Sequence, residues 1–365
     1  VMKKVLVNVA LLLTALLVAF GLAEIAVRLL KSETTVLFPR YHTDYRYGPY
    51  HLRGTRPGET FWHSSIDGRW KFVTNNKGFR DSRDFGYEKP ADTYRVLSVG
   101  DSQTQGHEVR QEATFSAVLE RYLNARGRKA EVLNVGVSGF STAEELAFIE
   151  NEGYRYHPDA IVLGFFGNDF EDNYKAALFE LDDQGQLVAT KFEHVPGVTI
   201  QKIIYAIPGM KWLGENSHLY SLVFNSVWLH FKFKLADQAA APAGRPVAEY
   251  AVPTQLVPSA REIALAATLI ERMKTFCDRH AIRLIVADLP FREGPYRFTS
   301  SLPAALRDRL HVAKIEIIDS NVLLQPYSEA VETHVTHGYQ HISEFTHGLI
   351  GVEIGRRLLF DPQSQ

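Results

Sequence analysis

The chain has 365 residues, of which 45% are hydrophobic, enough for one large domain or two smaller ones. Forty basic residues balance 42 acidic ones, for a formal net charge of −2. That balance leaves no basic footprint for nucleic acid, and no such partner is expected. The single cysteine, Cys277, excludes an intramolecular disulfide and reads as a small core residue on a helix.

The amino end is the first informative stretch. Lys3 and Lys4 precede Val5 to Ala23, nineteen residues without a charge. As a helix this run spans about 28 Å, close to the hydrocarbon thickness of a bilayer. Positive residues ahead of it place the N-terminus in the cytoplasm and the rest of the chain on the periplasmic or outer side. Gly21-Leu22-Ala23 is passable as a signal-peptide cleavage site. The apolar run exceeds an ordinary signal-peptide core, however, and helical patterning continues through Glu24 to Lys31. An uncleaved single-pass anchor over 1–31 is therefore expected, with residues 5–23 in the lipid.

Residues 32–93 are rich in Tyr, Arg, Gly and Pro and carry little periodic signal. Trp70-Lys71-Phe72-Val73-Thr74 alternates as a strand, and Asn75-Asn76-Lys77-Gly78-Phe79-Arg80 follows as a turn. The segment reads as an extension packed on the domain behind it, its aromatic residues covering core.

From residue 94 to 360, five apolar runs alternate with helical patterns. The expected strands are Arg95–Gly100, Val132–Val137, Ala160–Phe166, Arg283–Leu289 and Ile315–Asp319. The expected helices are Thr114–Asn124, Thr142–Gly153, Ser259–His280, Leu302–Leu310 and Thr346–Leu359. Such alternation implies a five-stranded parallel sheet covered on both faces, a three-layer α/β/α, flavodoxin-like order. The alternation stops over about 174–258, too long for a plain loop. This insertion opens with a hairpin over Phe179–Val188 and continues through apolar stretches such as Tyr220–Leu229. It closes with Ala239-Ala240-Ala241-Pro242-Ala243-Gly244, a tether. It reads as a lid, an acceptor-binding surface, a patch against the membrane, or a helical pair extending the core.

The chemistry sits in four blocks. Gly100-Asp101-Ser102-Gln103 ends the first strand and puts a hydroxyl at the carboxyl edge of the sheet, where open α/β folds collect ligands. Asn134-Val135-Gly136-Val137-Ser138-Gly139 ends the second strand, and Gly167-Asn168-Asp169 ends the third. His341-Ile342-Ser343-Glu344-Phe345-Thr346-His347 precedes the last helix. In this order the blocks resemble the SGNH (GDSL-like) hydrolase family over roughly residues 70 to 360. The Asn-x-x-Gly-Phe-Arg element at 75–80 is similar to one that anchored bacterial members carry.

The resemblance implies that Ser102 is a nucleophile and His341 its general base. The Ser102 N–H, the Gly139 N–H and the Asn168 amide then form an oxyanion hole, with Gly136 as the rival to Gly139. Asp101 supports the turn, while Asp169 has a structural role near the strand end. Each oxyanion donor is worth about 3–4 kcal/mol in a measured case. One position departs from the family. The acid three residues before the catalytic His is here Gly338. A backbone carbonyl near Gly338 could orient His341, another carboxylate such as Glu344 or Asp319 could replace the acid, or the site could be weakened or dead. The run His334, His337, His341 and His347 invites a metal reading, but Gly338 interrupts a helix there and no Glu follows His337. No metal or cofactor is implied.

The expected function is that of a membrane-anchored serine esterase or deacylase acting on an O-acylated carbohydrate or envelope component. Activity should fall as a histidine base protonates, near pH 6–7 for an ordinary imidazole. Acyl transfer through the same site, or a weak accessory subunit docked on a membrane partner, remain as alternatives.

Overall fold

The computed structural model describes residues 2–31, 35–37, 39, 41–227, 257–338 and 340–360. The expected tether at 239–244 and the end of the 220–229 stretch lie outside them. The first helix, α1 (Met2–Leu30), contains no buried residue and is long and apolar enough to cross a membrane. Two antiparallel pairs follow: β1 (His42–Tyr47) with β2 (Tyr50–Thr55), and β3 (Thr60–Ser65) with β4 (Gly68–Val73).

The core then runs β5 (Tyr94–Gly100), α2 (Ser102–Gln105), α3 (Phe115–Ala125), β6 (Ala130–Asn134), α4 (Thr142–Asn151), β7 (Ala160–Phe166) and α5 (Asp169–Ala176). Next come the short hairpin β8 (Phe179–Leu181) and β9 (Leu187–Ala189), β10 (Glu193–His194), and helices α6 (Val198–Tyr205) and α7 (Met210–Asn216). Residues 218–227 are helical. The chain returns with α8 (Ala260–Arg279), β11 (Arg283–Leu289), the pair β12 (Phe291–Gly294) and β13 (Arg297–Thr299), α9 (Ala304–Val312), β14 (Glu316–Ile318), α10 (Ser320–Leu324) and α11 (Glu344–Leu359).

The main sheet has five strands in the order β14-β11-β7-β5-β6, every pair parallel. With helices on both faces, successive residues of a strand are buried alternately against the two layers, so the strands read as continuous apolar runs. Leu97, Leu133, Leu163 and Val286 pack on one side with α4 and α8. Val96, Val132, Val162 and Ile285 pack on the other with α3 and α11. Cys277 is fully buried on α8. The second regular strand ends at Asn134, where the side chain accepts the Gly136 N–H, although Val135 and Val137 still donate to the Ser98 and Gly100 carbonyls of β5 and carry the chain on along the sheet.

The segment ahead of the sheet is built into the same body. Tyr47, Tyr50, Leu52 and Phe79 join the larger core cluster, and Phe79 meets Phe148 and Tyr156 edge-on. Within the insertion, β10 adds a parallel strand to β2.

Candidate active site

Ser102, Gly139 and Asn168 follow β5, β6 and β7, which are adjacent in the sheet, so their loops converge at its carboxyl edge. Ser102 is the first residue of α2. Asp101 caps that helix, its Oδ1 accepting the Gln103 N–H at 2.8 Å. The half-buried Ser102 Oγ lies 3.1 Å from His341 Nε2. Gln103 fixes the histidine from both sides: its Nε2 donates to Gln340 O and its Oε1 accepts the Ile342 N–H.

The other ring nitrogen faces an acid that sequence reasoning missed. His341 Nδ1 is 3.1 Å from Glu108 Oε2. A carboxylate can only accept, so Nδ1 carries the proton and Nε2 presents a lone pair to the serine hydroxyl. Burial pushes the Glu108 carboxyl up. The hydrogen bond and charge of His341 outweigh it and hold the group below its ordinary value.

The glycine three residues before His341 belongs to the same arrangement. A Cβ on Gly338 would stand 2.2 Å from Glu108 Oε2, so the carboxylate occupies the space an acid side chain at 338 would need. The sources considered from sequence are elsewhere. Glu344 pairs with Arg110, Asp319 caps α10 and pairs with Arg307, and the Gly338 carbonyl accepts from Gln340 N–H. Glu108 carries no periodic signal. Its one sequence cue is an acidic residue just past the turn that closes α2.

Segments before the main sheet hold Glu108 in place. The buried Arg80 guanidinium donates to the carbonyls of Gln105, Gly106 and Val109, bracketing the 105–109 loop, and stacks on Phe72 at 3.8 Å. His63 on β3 places Nε2 3.8 Å from Glu108 Oε1, and burial lowers that imidazole to about 4, so it stands neutral beside the carboxylate. His107 packs between the two rings, 5.3 Å from His63 and 5.1 Å from His341.

At the end of the second strand, Gly139 has φ +77°, and a Cβ there would meet Arg53 Nη2 at 2.0 Å. Arg53 donates to the Ser138 carbonyl at 2.7 Å and so fixes the peptide that carries the Gly139 N–H. The rival Gly136 spends its N–H on Asn134 Oδ1. Asn168 Nδ2 donates to Asp172 at 3.0 Å and to Asp101 Oδ2 at a longer 3.3 Å. Beneath these groups lie three fully buried acids. Burial raises Asp101 to about 6 and lifts Glu145 and Asp169 well above ordinary carboxyls.

The remaining histidines scatter. His347 Nδ1 accepts the Phe115 N–H and ties α11 to α3, His334 Nε2 donates to Pro290 O, and His337 pairs with Asp67. Among the described residues no group of three or more His, Cys, Asp or Glu is placed to hold a metal ion.

A parallel α/β sheet presenting a serine, a histidine and a buried carboxylate in one hydrogen-bonded chain has the groups acyl transfer needs. The chain belongs to the GDSL-like lipase/acylhydrolase family, whose model matches residues 98–312, more than half of its length. A search of curated proteins finds no match. Solved structures similar to this chain include a lipase/acylhydrolase from Enterococcus faecalis, at 15% identity and a TM-score of 0.40, covering 73% of this chain and 95% of that one. An acetyl-xylooligosaccharide esterase from a Geobacillus is 11% identical with a TM-score of 0.41, over 73% and 95% of the two chains. A lipolytic protein of the G-D-S-L family from Desulfitobacterium hafniense is 12% identical with a TM-score of 0.37, over 72% and 98%.

Proposed function

We propose that this protein is a membrane-anchored serine esterase in which Glu108, rather than an acid at position 338, completes a Ser102–His341–Glu108 triad. The observation that carries the reading is the unbroken chain from Ser102 Oγ through both nitrogens of His341 to Glu108, with 3.1 Å at each link. Ser102 attacks the ester carbonyl while His341 Nε2 takes its proton. The oxyanion is held by the Ser102 N–H, the Gly139 N–H and the Asn168 amide. His341 then protonates the leaving alcohol, and water releases the acid in the second half-reaction. Glu108 fixes the tautomer and stabilises the imidazolium formed in each half. With an acid in place, Gly338 gives no ground for a dead site.

The substrate class is an O-acylated carbohydrate or another envelope ester, carrying a short acyl group. Helix α1 holds the protein in the cytoplasmic membrane with its N-terminus inside, as Lys3 and Lys4 ahead of the apolar run favour. The purified full chain should release acid from short-chain p-nitrophenyl esters and acetate from acetylated xylan, and Ser102→Ala should abolish both. Ester hydrolysis that persists in Ser102→Ala would overturn the assignment.

A further inference from the structure

Helix α7 ends against the end of α1, α6 packs on α7, and the two leave apolar side chains exposed. Ile200, Ile203 and Ile207, at spacings of three and four, share the outer face of α6 and the turn beyond it, with Ile203 62% exposed. The opposite face is committed to protein. Val198 and Gln201 are buried, Gln201 Oε1 accepts the His42 N–H at 2.9 Å, and Tyr205 stacks on Tyr41 at 5.2 Å. On α7, Trp212 is 63% exposed, while Lys211 beside it pairs with Glu59.

Contacts tie the carboxyl end of α7 to α1. Glu24, the first residue beyond the apolar run 5–23, accepts from Ser217 Oγ at 2.7 Å and from the N–H groups of His218 and Leu219 at 2.9 Å. Arg28 donates to the Asn216 carbonyl at 2.7 Å. Trp212 is one helical turn from Asn216, about 6 Å along the axis. The tryptophan is therefore within about one helical turn of the contact with the end of α1, close to the boundary at which Trp gathers in membrane proteins.

We propose that the outer face of α6 and α7 lies in the headgroup region of the bilayer that α1 crosses, as an amphipathic support that sets the orientation of the catalytic domain over the membrane. The occupant is lipid, because the patch is continuous with the end of the anchor and its exposed side chains are aliphatic with one tryptophan. The inference rests on the reading of α1 as a membrane span. Because Glu24 and Arg28 bind 216–219 directly, the support and the anchor move as one piece.

The test uses the full chain in phosphatidylcholine–phosphatidylglycerol nanodiscs. Cys277 is buried, with its thiol raised to about 12, so a thiol-reactive environment-sensitive dye goes to an introduced cysteine. Ile203→Cys, Leu13→Cys and Val312→Cys are labelled separately and challenged with lipids spin-labelled either near the headgroup or near the chain end. The Ile203→Cys label should be blue-shifted and quenched most by the headgroup-proximal spin. Leu13→Cys should be quenched most by the chain-end spin, and Val312→Cys by neither. A water-exposed Ile203→Cys label beside a deeply buried Leu13→Cys label overturns the proposal and leaves the anchor standing. Water exposure at both positions overturns the anchor reading instead. A blue shift at Ile203→Cys that follows the protein-to-lipid ratio assigns the face to a second copy and overturns the lipid proposal.

Discussion

If Glu108 is the triad acid, moving the acid back to position 338 has a sign that depends on Glu108. A Cβ at 338 stands 2.2 Å from Glu108 Oε2 and 2.8 Å from Val335 Cβ, so Gly338→Asp alone forces the carboxylate away from His341 and sets two like charges together. It should lower kcat about 10–100-fold, with an overpacking cost of about 1–3 kcal/mol. Glu108→Gln keeps the shape but offers an amide that can donate to Nδ1, locking the wrong tautomer. By analogy with a measured triad this costs about 10⁴ in kcat, or roughly 5.5 kcal/mol of transition-state stabilisation. The Glu108 side chain is only 2% exposed, so water is a poor replacement. Glu108→Ala should lose a similar factor, but it also removes the clash. Gly338→Asp added to Glu108→Ala should then recover at least about tenfold over Glu108→Ala alone. The assay is p-nitrophenyl acetate hydrolysis by the wild type and the four variants, with thermal unfolding as the folding control. A rate increase for Gly338→Asp in the wild-type background, or full activity in Glu108→Gln, would refute the reasoning.

Other outcomes follow from the same geometry. Asn168→Ala should lower kcat about 10²–10³-fold with KM little changed. Arg80→Met leaves the Gln105, Gly106 and Val109 carbonyls without their buried donor and should cost about 3–5 kcal/mol of stability; Arg80→Lys should not fully rescue it, because one ammonium nitrogen cannot stand at both the Nη1 and Nη2 positions. Burial lowers His63 and His334 to about 4 and His347 to about 3. Their folded forms bind fewer protons than the unfolded chain, so the stability they supply is present above about pH 6.5 and lost as pH falls toward 4. His347→Gln should shallow that loss in urea melts taken across the window. Glu145 has the opposite sign: burial raises its carboxyl above the unfolded value, so the fold binds that proton more tightly and the contribution is lost as pH rises. Glu145→Gln should stabilise the protein more at pH 9 than at pH 5 by thermal unfolding.

The five core strands were legible because a parallel sheet buried on both faces writes each strand as an unbroken apolar run, and Ala160–Phe166 and Arg283–Leu289 stand where the sequence places them. Ser102, Asn168 and His341 were singled out because their blocks resemble those of the family, and the structure brings Ser102 and His341 within 3.1 Å of each other. Glu108 was not. It meets His341 across 233 residues, on a backbone with φ of 58°, in space left by the missing side chain of Gly338. None of those three conditions has a local signature. The strands β1 and β2 were not read from the sequence either: the alternation in His42–Tyr47 is confined to Asp44-Tyr45-Arg46-Tyr47, and the strand is completed by pairing with Tyr50–Thr55.

The most direct test of the triad is the second-order rate at which a fluorophosphonate modifies Ser102 in the folded full chain at pH 8, read by peptide mass spectrometry for wild type and Glu108→Gln. The account predicts a stoichiometric adduct on Ser102 in the wild type and a rate about 10³–10⁴-fold lower in the variant, with unfolding temperature little changed. Equal rates in the two proteins, or no adduct on Ser102 in the wild type, would contradict it.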